Sequence, residues 1–238
     1  MMISSTSAAM TTSLASCASD DLVGRVAANL ARVQERIRTT GRDLQSVRIV
    51  AVTKTFDSRY VRVASELGLT TVGENYIDEL CEKRRLTSDV PVTWHYLGAL
   101  QSNKIHRVLE CADVVCGVSR VKELEKIATL RADQAVYVQV DFTGQVQRNG
   151  APSSEVPVLV ERARSLGLAV RGLMTVAPMD PEGARRAFLA TGRLADELGL
   201  LERSMGMSED LEIACELGTS EVRVGRALFG ERAVTEAS

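Results

Sequence analysis

The chain has 238 residues, 45% hydrophobic and 25% charged, the proportions of an ordinary globular protein with length for one large domain and not for two. A formal net charge of -2 lacks the basic footprint of a nucleic-acid binder, and no stretch approaches the roughly eighteen apolar residues of a membrane span. Five cysteines with no C-x-x-C pair, and two histidines, argue against a disulfide framework or a zinc site and for a reducing cytoplasm.

Residues 1–20 are rich in Ser, Thr and Ala and hold no Lys or Arg, so they make neither a secretory signal nor a good transit peptide and are expected to be a disordered tail. Residues 21–238 are expected to form a single domain. From Asp21 to Arg38, Leu22, Val26, Leu30, Val33 and Ile37 recur at helical spacing, and Gly41 follows as a stop. Short apolar strands are then expected at 47–53, 70–73, 93–97, 113–118, 135–141, 169–174, 202–206 and 220–224. Helical patterns separate them at 58–67, 76–86, 101–110, 120–131, 153–166, 181–198 and 208–216. Such alternation predicts parallel βαβ units, and about eight repeats in some 200 residues predict an α/β single-domain TIM (β/α)8 barrel. A doubly wound open sheet is the alternative, although no G-x-G-x-x-G follows the first strand.

Lys54 closes the first apolar strand, just before the turn-like Thr55-Phe56-Asp57-Ser58. A lysine at the mouth of a buried strand loses hydration, which favours the neutral amine that attacks carbonyls in Schiff-base chemistry. A strand-end lysine snorkelling to water is the plainer reading. In a TIM barrel the site lies at the C-terminal strand ends, with phosphate at the loops after strands 7 and 8. There the chain places Ser204-Met205-Gly206-Met207-Ser208-Glu209-Asp210 and Val222-Arg223-Val224-Gly225-Arg226. Glycines admit close approach, hydroxyls donate to anions, and Gly225 and Arg226 can open a helical turn; taken singly, each loop also reads as an ordinary capped turn. Strand parity puts Glu221, Arg223 and Gly225 on one face, so Arg223 points into the barrel mouth. Its partner is either a ring nitrogen or an acid, with Glu74 and Glu216 as internal ion-pair candidates. His95 and Tyr96 are conceivable bases, His95 reading equally as a core residue, and Lys104 is either a second amine near the site or a solvated helix lysine.

The run Val50-Ala51-Val52-Thr53-Lys54-Thr55, then Gly73-Glu74-Asn75-Tyr76, the stretch from Trp94 to Lys104, Arg171-Gly172-Leu173-Met174, Ser204-Met205-Gly206-Met207-Ser208 and Val222-Arg223-Val224-Gly225 together resemble the pyridoxal phosphate homeostasis protein family. The resemblance runs from about residue 21 to 233 and implies a barrel similar to the N-terminal domain of alanine racemase. It implies pyridoxal 5'-phosphate as cofactor, held as an aldimine on Lys54, with Asn75, Met174 and His95 near the ring. Ser204, Gly225 and Arg226 would hold the phosphate, the last two through backbone N–H groups, and Arg223 would face the pyridine nitrogen. Two departures stand out: Arg226 occupies a place where relatives carry a small hydroxyl residue, and Thr143 to Gly150 lacks the lysine of related loops.

A permanently cationic Arg223 disfavours protonation of the pyridine nitrogen and so weakens the electron sink that most enzymes of this cofactor use. Racemisation stays open, but it needs two bases on opposite faces of the substrate, and the second has no obvious source in a chain ending at Ser238. The expectation is a non-catalytic vitamin B6 carrier that buffers and delivers the cofactor to apo-enzymes. It would be cytoplasmic and monomeric, without nucleic acid, membrane or metal. A small amino-acid racemase is the alternative, and an aldolase-type Schiff-base barrel a third.

Overall fold

The computed structural model describes residues 6–144 and 149–231, with side chains from residue 21 onward. Eight parallel strands close into a barrel: β1 (Arg48–Val52), β2 (Thr71–Glu74), β3 (Thr93–Tyr96), β4 (Val114–Val118), β5 (Ala135–Asp141), β7 (Ala169–Thr175), β8 (Glu202–Ser204) and β9 (Glu221–Val224). Their order is β4-β3-β2-β1-β9-β8-β7-β5, and the pairing of β4 with β5 closes the ring. All eight predicted strands are present. The one addition is β6 (Ala151–Pro152), a two-residue bridge that extends β5 where Val140 meets Ala151. A pair that short, ending in proline, carries no periodicity to read.

Nine helices surround the described barrel: α1 (Thr6–Thr39), α2 (Ser58–Glu66), α3 (Ile77–Leu86), α4 (Ile105–Cys111), α5 (Val121–Leu130), α6 (Val156–Ser165), α7 (Pro181–Glu197), α8 (Leu211–Glu216) and α9 (Arg226–Phe229). Their apolar faces bury Leu22, Val26, Val33, Ile37, Leu80, Ile105, Leu124, Ile127 and Val160 against the outer faces of the strands, forming the main core. α1 lies over α8 and α9, where Asn29 Nδ2 donates to Leu228 O at 2.9 Å and Arg36 Nε to Glu212 Oε1 at 2.5 Å. That helix begins at Thr6, within the segment expected to be a disordered tail; residues 6–20 hold no Gly or Pro and include Ala, the best helix former. Residues 1–5 lie outside those described.

One sequence expectation is overturned and one open alternative is closed. Cys81 on α3 and Cys111 on α4 form a disulfide with Cα atoms 5.2 Å apart, against the expectation of no disulfide. The two cysteines have a sequence separation of 30, a spacing with no recognisable signature, and neighbouring helices bring them together. Arg223 pairs with neither candidate acid, since Glu74 is held by Lys83 and Glu216 by Arg185.

The barrel interior is filled in layers. Val114, Cys116, Tyr137 and Met174 pack in an inner apolar cluster with Leu97 and Ala135. Beside it lies an ionic group: Arg48 NH1 donates to Glu202 Oε2 at 2.8 Å and to Glu221 Oε2 at 3.1 Å, and Tyr137 OH donates to Glu202 Oε2 at 2.5 Å. These side chains come from four strands and plug the barrel beneath the C-terminal strand ends.

Candidate functional site

A cavity of about 790 Å³ opens at the C-terminal ends of the strands. Its lining includes Lys54, Asn75, Met174, Arg223, Gly225 and Arg226, six of the eight residues expected there. β1 delivers Lys54, half-buried at its end, and the loop after β2 delivers Asn75. Val52, Leu97, Gln139, Val176 and Ala177 supply much of the remaining wall, and Gln139 Nε2 is fixed by donating to Asn149 O at 2.8 Å.

Arg223 is 5% exposed, yet its guanidinium is fully organised: NH1 donates to Ser204 O at 2.6 Å and to Ser204 Oγ at 2.8 Å, and NH2 to Thr175 O at 2.8 Å. Burial pulls its pKa below the ordinary arginine value, an effect opposed by the Glu221 carboxylate. Two fixed nitrogens set the plane of a cation in the cavity wall.

His95 and Ser204 stand outside the lining. Ser204 registers with Glu221, two residues before Arg223 on the neighbouring strand, and so lies one layer deeper in the barrel. Its hydroxyl donates to Glu221 Oε1 at 2.7 Å and accepts from Arg223. His95 Nδ1 lies 3.7 Å from Glu221 Oε1 and 3.7 Å from Cys116 Sγ in that same layer. Burial opposes the charge on Glu221, but the contacts from His95, Ser204 and Arg48 prevail and hold its carboxyl down to about 2. Lys104, which immediately precedes α4, is also absent from the lining.

The serine that reaches the cavity is Ser208. Its Oγ accepts from Ala227 N at 3.2 Å and so stitches the loop after β8 to the start of α9. The β8 loop is shaped by Gly206 (φ 96°), where a Cβ would meet Ala214 at 2.5 Å, and by Asp210 Oδ1, which accepts from Met207 N at 2.6 Å. Burial pushes the Asp210 carboxyl up. Gly225 leaves room at the β9 end, where a Cβ would stand 3.2 Å from Val52 O. The Arg226 side chain turns to Glu209 at 3.0 Å, leaving the first backbone N–H groups of α9 as the donors of that turn. Of the departing loop 143–150, residues 145–148 lie outside those described.

Sequence and structure comparisons agree with this fold. The family described as alanine racemase, N-terminal domain, matches residues 24–233. The pyridoxal phosphate homeostasis protein of Pseudomonas aeruginosa is 38% identical over 220 residues, covering 87% of this chain and 96% of that protein. Its Escherichia coli counterpart is 31% identical over 230 residues.

The chain belongs to the pyridoxal phosphate homeostasis protein family.

Among solved structures, PipY of Synechococcus elongatus with PLP bound is similar with a TM-score of 0.74 and 28% identity, over 83% of this chain and 100% of that one. Alanine racemase from Corynebacterium glutamicum shares the fold, with a TM-score of 0.69, 17% identity, and coverage of 91% of this chain and 63% of the racemase. The family's barrel is thus the one described above, closed by eight parallel strands.

Proposed function

We propose that this protein binds pyridoxal 5'-phosphate and acts as its reversible store, buffering the cofactor and releasing it to apo-enzymes. The observation that carries the reading is the convergence of Lys54, Arg223 and the stitched β8 and β9 loops on one cavity. The residues present fit the group. Lys54 offers an amine, Ser208 with the backbone N–H groups of Gly225 and Arg226 offers donors for a phosphate, and Asn75 and Met174 offer a polar and an apolar contact for the ring. When bound, pyridoxal phosphate supplies an aldehyde that an amine captures reversibly with loss of one water.

Storage fits these side chains better than turnover. Arg223 presents a fixed cation to the cavity and would hold a pyridine nitrogen set beside it unprotonated. Of the three lining carboxylates Glu209, Asp210 and Glu231, the first two are already engaged, one by Arg226 and the other by Met207 N, and so are poorly disposed to serve as opposed bases. The large exposed apolar residues among those described, Tyr76, Leu86, Val121, Leu130, Val158, Met179, Leu189 and Leu201, are spread over several elements, a distribution that suits a monomer. We place this work in the cytoplasm, where Cys81 and Cys111 would be held as thiols.

Borohydride reduction of the loaded protein followed by peptide mass spectrometry is expected to place the pyridoxyl group on Lys54. Loaded protein mixed with an apo-enzyme should restore that enzyme's activity as its own visible absorbance falls. A pyridoxyl group found mainly on another lysine would refute the attachment site. Turnover of alanine at about 1–10³ s⁻¹, typical of enzymes, would replace the carrier by a racemase.

A further inference from the structure

Thr55 is the one non-glycine residue at positive φ (67°) among those described, and it directly follows Lys54. A β-branched residue adopts the left-handed region only when its surroundings impose it. Here the surroundings are identifiable. Thr55 N donates to Glu79 Oε2 at 2.8 Å, and Glu79 belongs to α3.

On the other side of Lys54, Thr53 is fully buried and equally constrained. Its Oγ1 donates to Glu74 Oε1 at 2.7 Å, and its carbonyl accepts from Lys83 Nζ at 2.8 Å. Lys83 is itself buried on α3, and its ammonium spends its remaining donors on Glu74 Oε1 at 2.5 Å and Glu79 Oε2 at 2.8 Å. Burial raises the Glu74 carboxyl pKa, and Lys83 opposes that rise. One buried ammonium therefore ties together two carboxylates that grip the residues before and after Lys54. Glu74 also immediately precedes Asn75, a second cavity residue.

We propose that Glu74, Glu79 and Lys83 form a positioning cage that sets the backbone at Lys54 and so aims its amine into the cavity. The cage rests on the function proposed above and adds to it the residues that prepare Lys54 for attachment. None of the three lines the cavity; they act on the attachment residue through its two neighbours.

The test is the rate at which pyridoxal phosphate becomes borohydride-fixed to Lys54, read by mass spectrometry, in wild type, Glu79→Ala, Glu79→Gln, Thr55→Gly and the double variant Thr55→Gly/Glu79→Ala. Glu79→Ala should slow attachment about tenfold, and Glu79→Gln, which keeps an acceptor for Thr55 N, should stay within about threefold of wild type. In the Thr55→Gly background, where φ of 67° carries no steric penalty, Glu79→Ala should cost less than about threefold. The contrast between backgrounds separates positioning from general damage to the fold. Attachment by Glu79→Ala at the wild-type rate, or equal slowing in both backgrounds, would overturn the cage. Failure of wild type to attach the cofactor at Lys54 would instead overturn the function on which the cage rests, and the cage with it.

Discussion

Ser204 ends β8, Ser208 stands four residues on in the glycine-containing loop that follows, and the two have unrelated surroundings. Ser208 lines the cavity and accepts from Ala227 N, whereas Ser204 is buried between Glu221 and Arg223. Removing the Ser208 hydroxyl is expected to raise the dissociation constant for pyridoxal phosphate about tenfold, equivalent to about 1.4 kcal/mol for one charge-assisted hydrogen bond. Titration of Ser208→Ala by absorbance checks this, and unchanged affinity would place the phosphate elsewhere. Glu221 gives a second expectation, in acid. Its folded pKa of about 2 lies below the ordinary 4.5, so it stabilises the fold fully above about pH 4.5 and progressively less as the pH falls toward 2. Glu221→Gln should therefore cost roughly 3 kcal/mol at pH 7, with the two stability curves converging near pH 2 in chemical denaturation. Lys54, Arg223, Gly225 and Arg226 were legible because each stands at or just past a strand end, whereas Asn75 and Met174 came only with the family resemblance. His95 and Ser204 share the motifs but sit one layer deeper, and their depth depends on the register between strands, which no linear pattern displays.

At the scale of elements, the eight strands were legible through their apolar runs, while helix starts were less so. α4, α6 and α8 begin at Ile105, Val156 and Leu211, later than the helical pattern suggests, because polar residues ahead of them form turns. Two of those turns leave the rim free to carry functional loops: the one before α8 carries Ser208 and the one before α4 follows Leu97. The Cys81–Cys111 bond was hidden for a related reason, since helices adjacent in space bring together residues that no local spacing relates. Closing a loop across a sequence separation of 30 should stabilise the oxidised protein by about 3–4 kcal/mol on the chain-entropy account. Thermal unfolding with and without a dithiol reductant measures the difference, and Cys111→Ser should abolish the dependence on reductant.

For the molecule as a whole, alternating apolar strands and amphipathic helices made the barrel legible from one end of the chain to the other. What fills the barrel was not. Arg48, Tyr137, Glu202 and Glu221 are far apart in sequence and meet only once the ring has closed, at 2.5 to 3.1 Å. This cross-barrel knot makes the molecule a cup instead of a pipe. Whatever enters at the rim must leave by the rim, so arrival and departure compete for one doorway. For the store of cofactor proposed above that would be a rule of traffic: the cup would have to empty before it could be refilled, and a recipient would have to wait at the entrance that a new cargo would use.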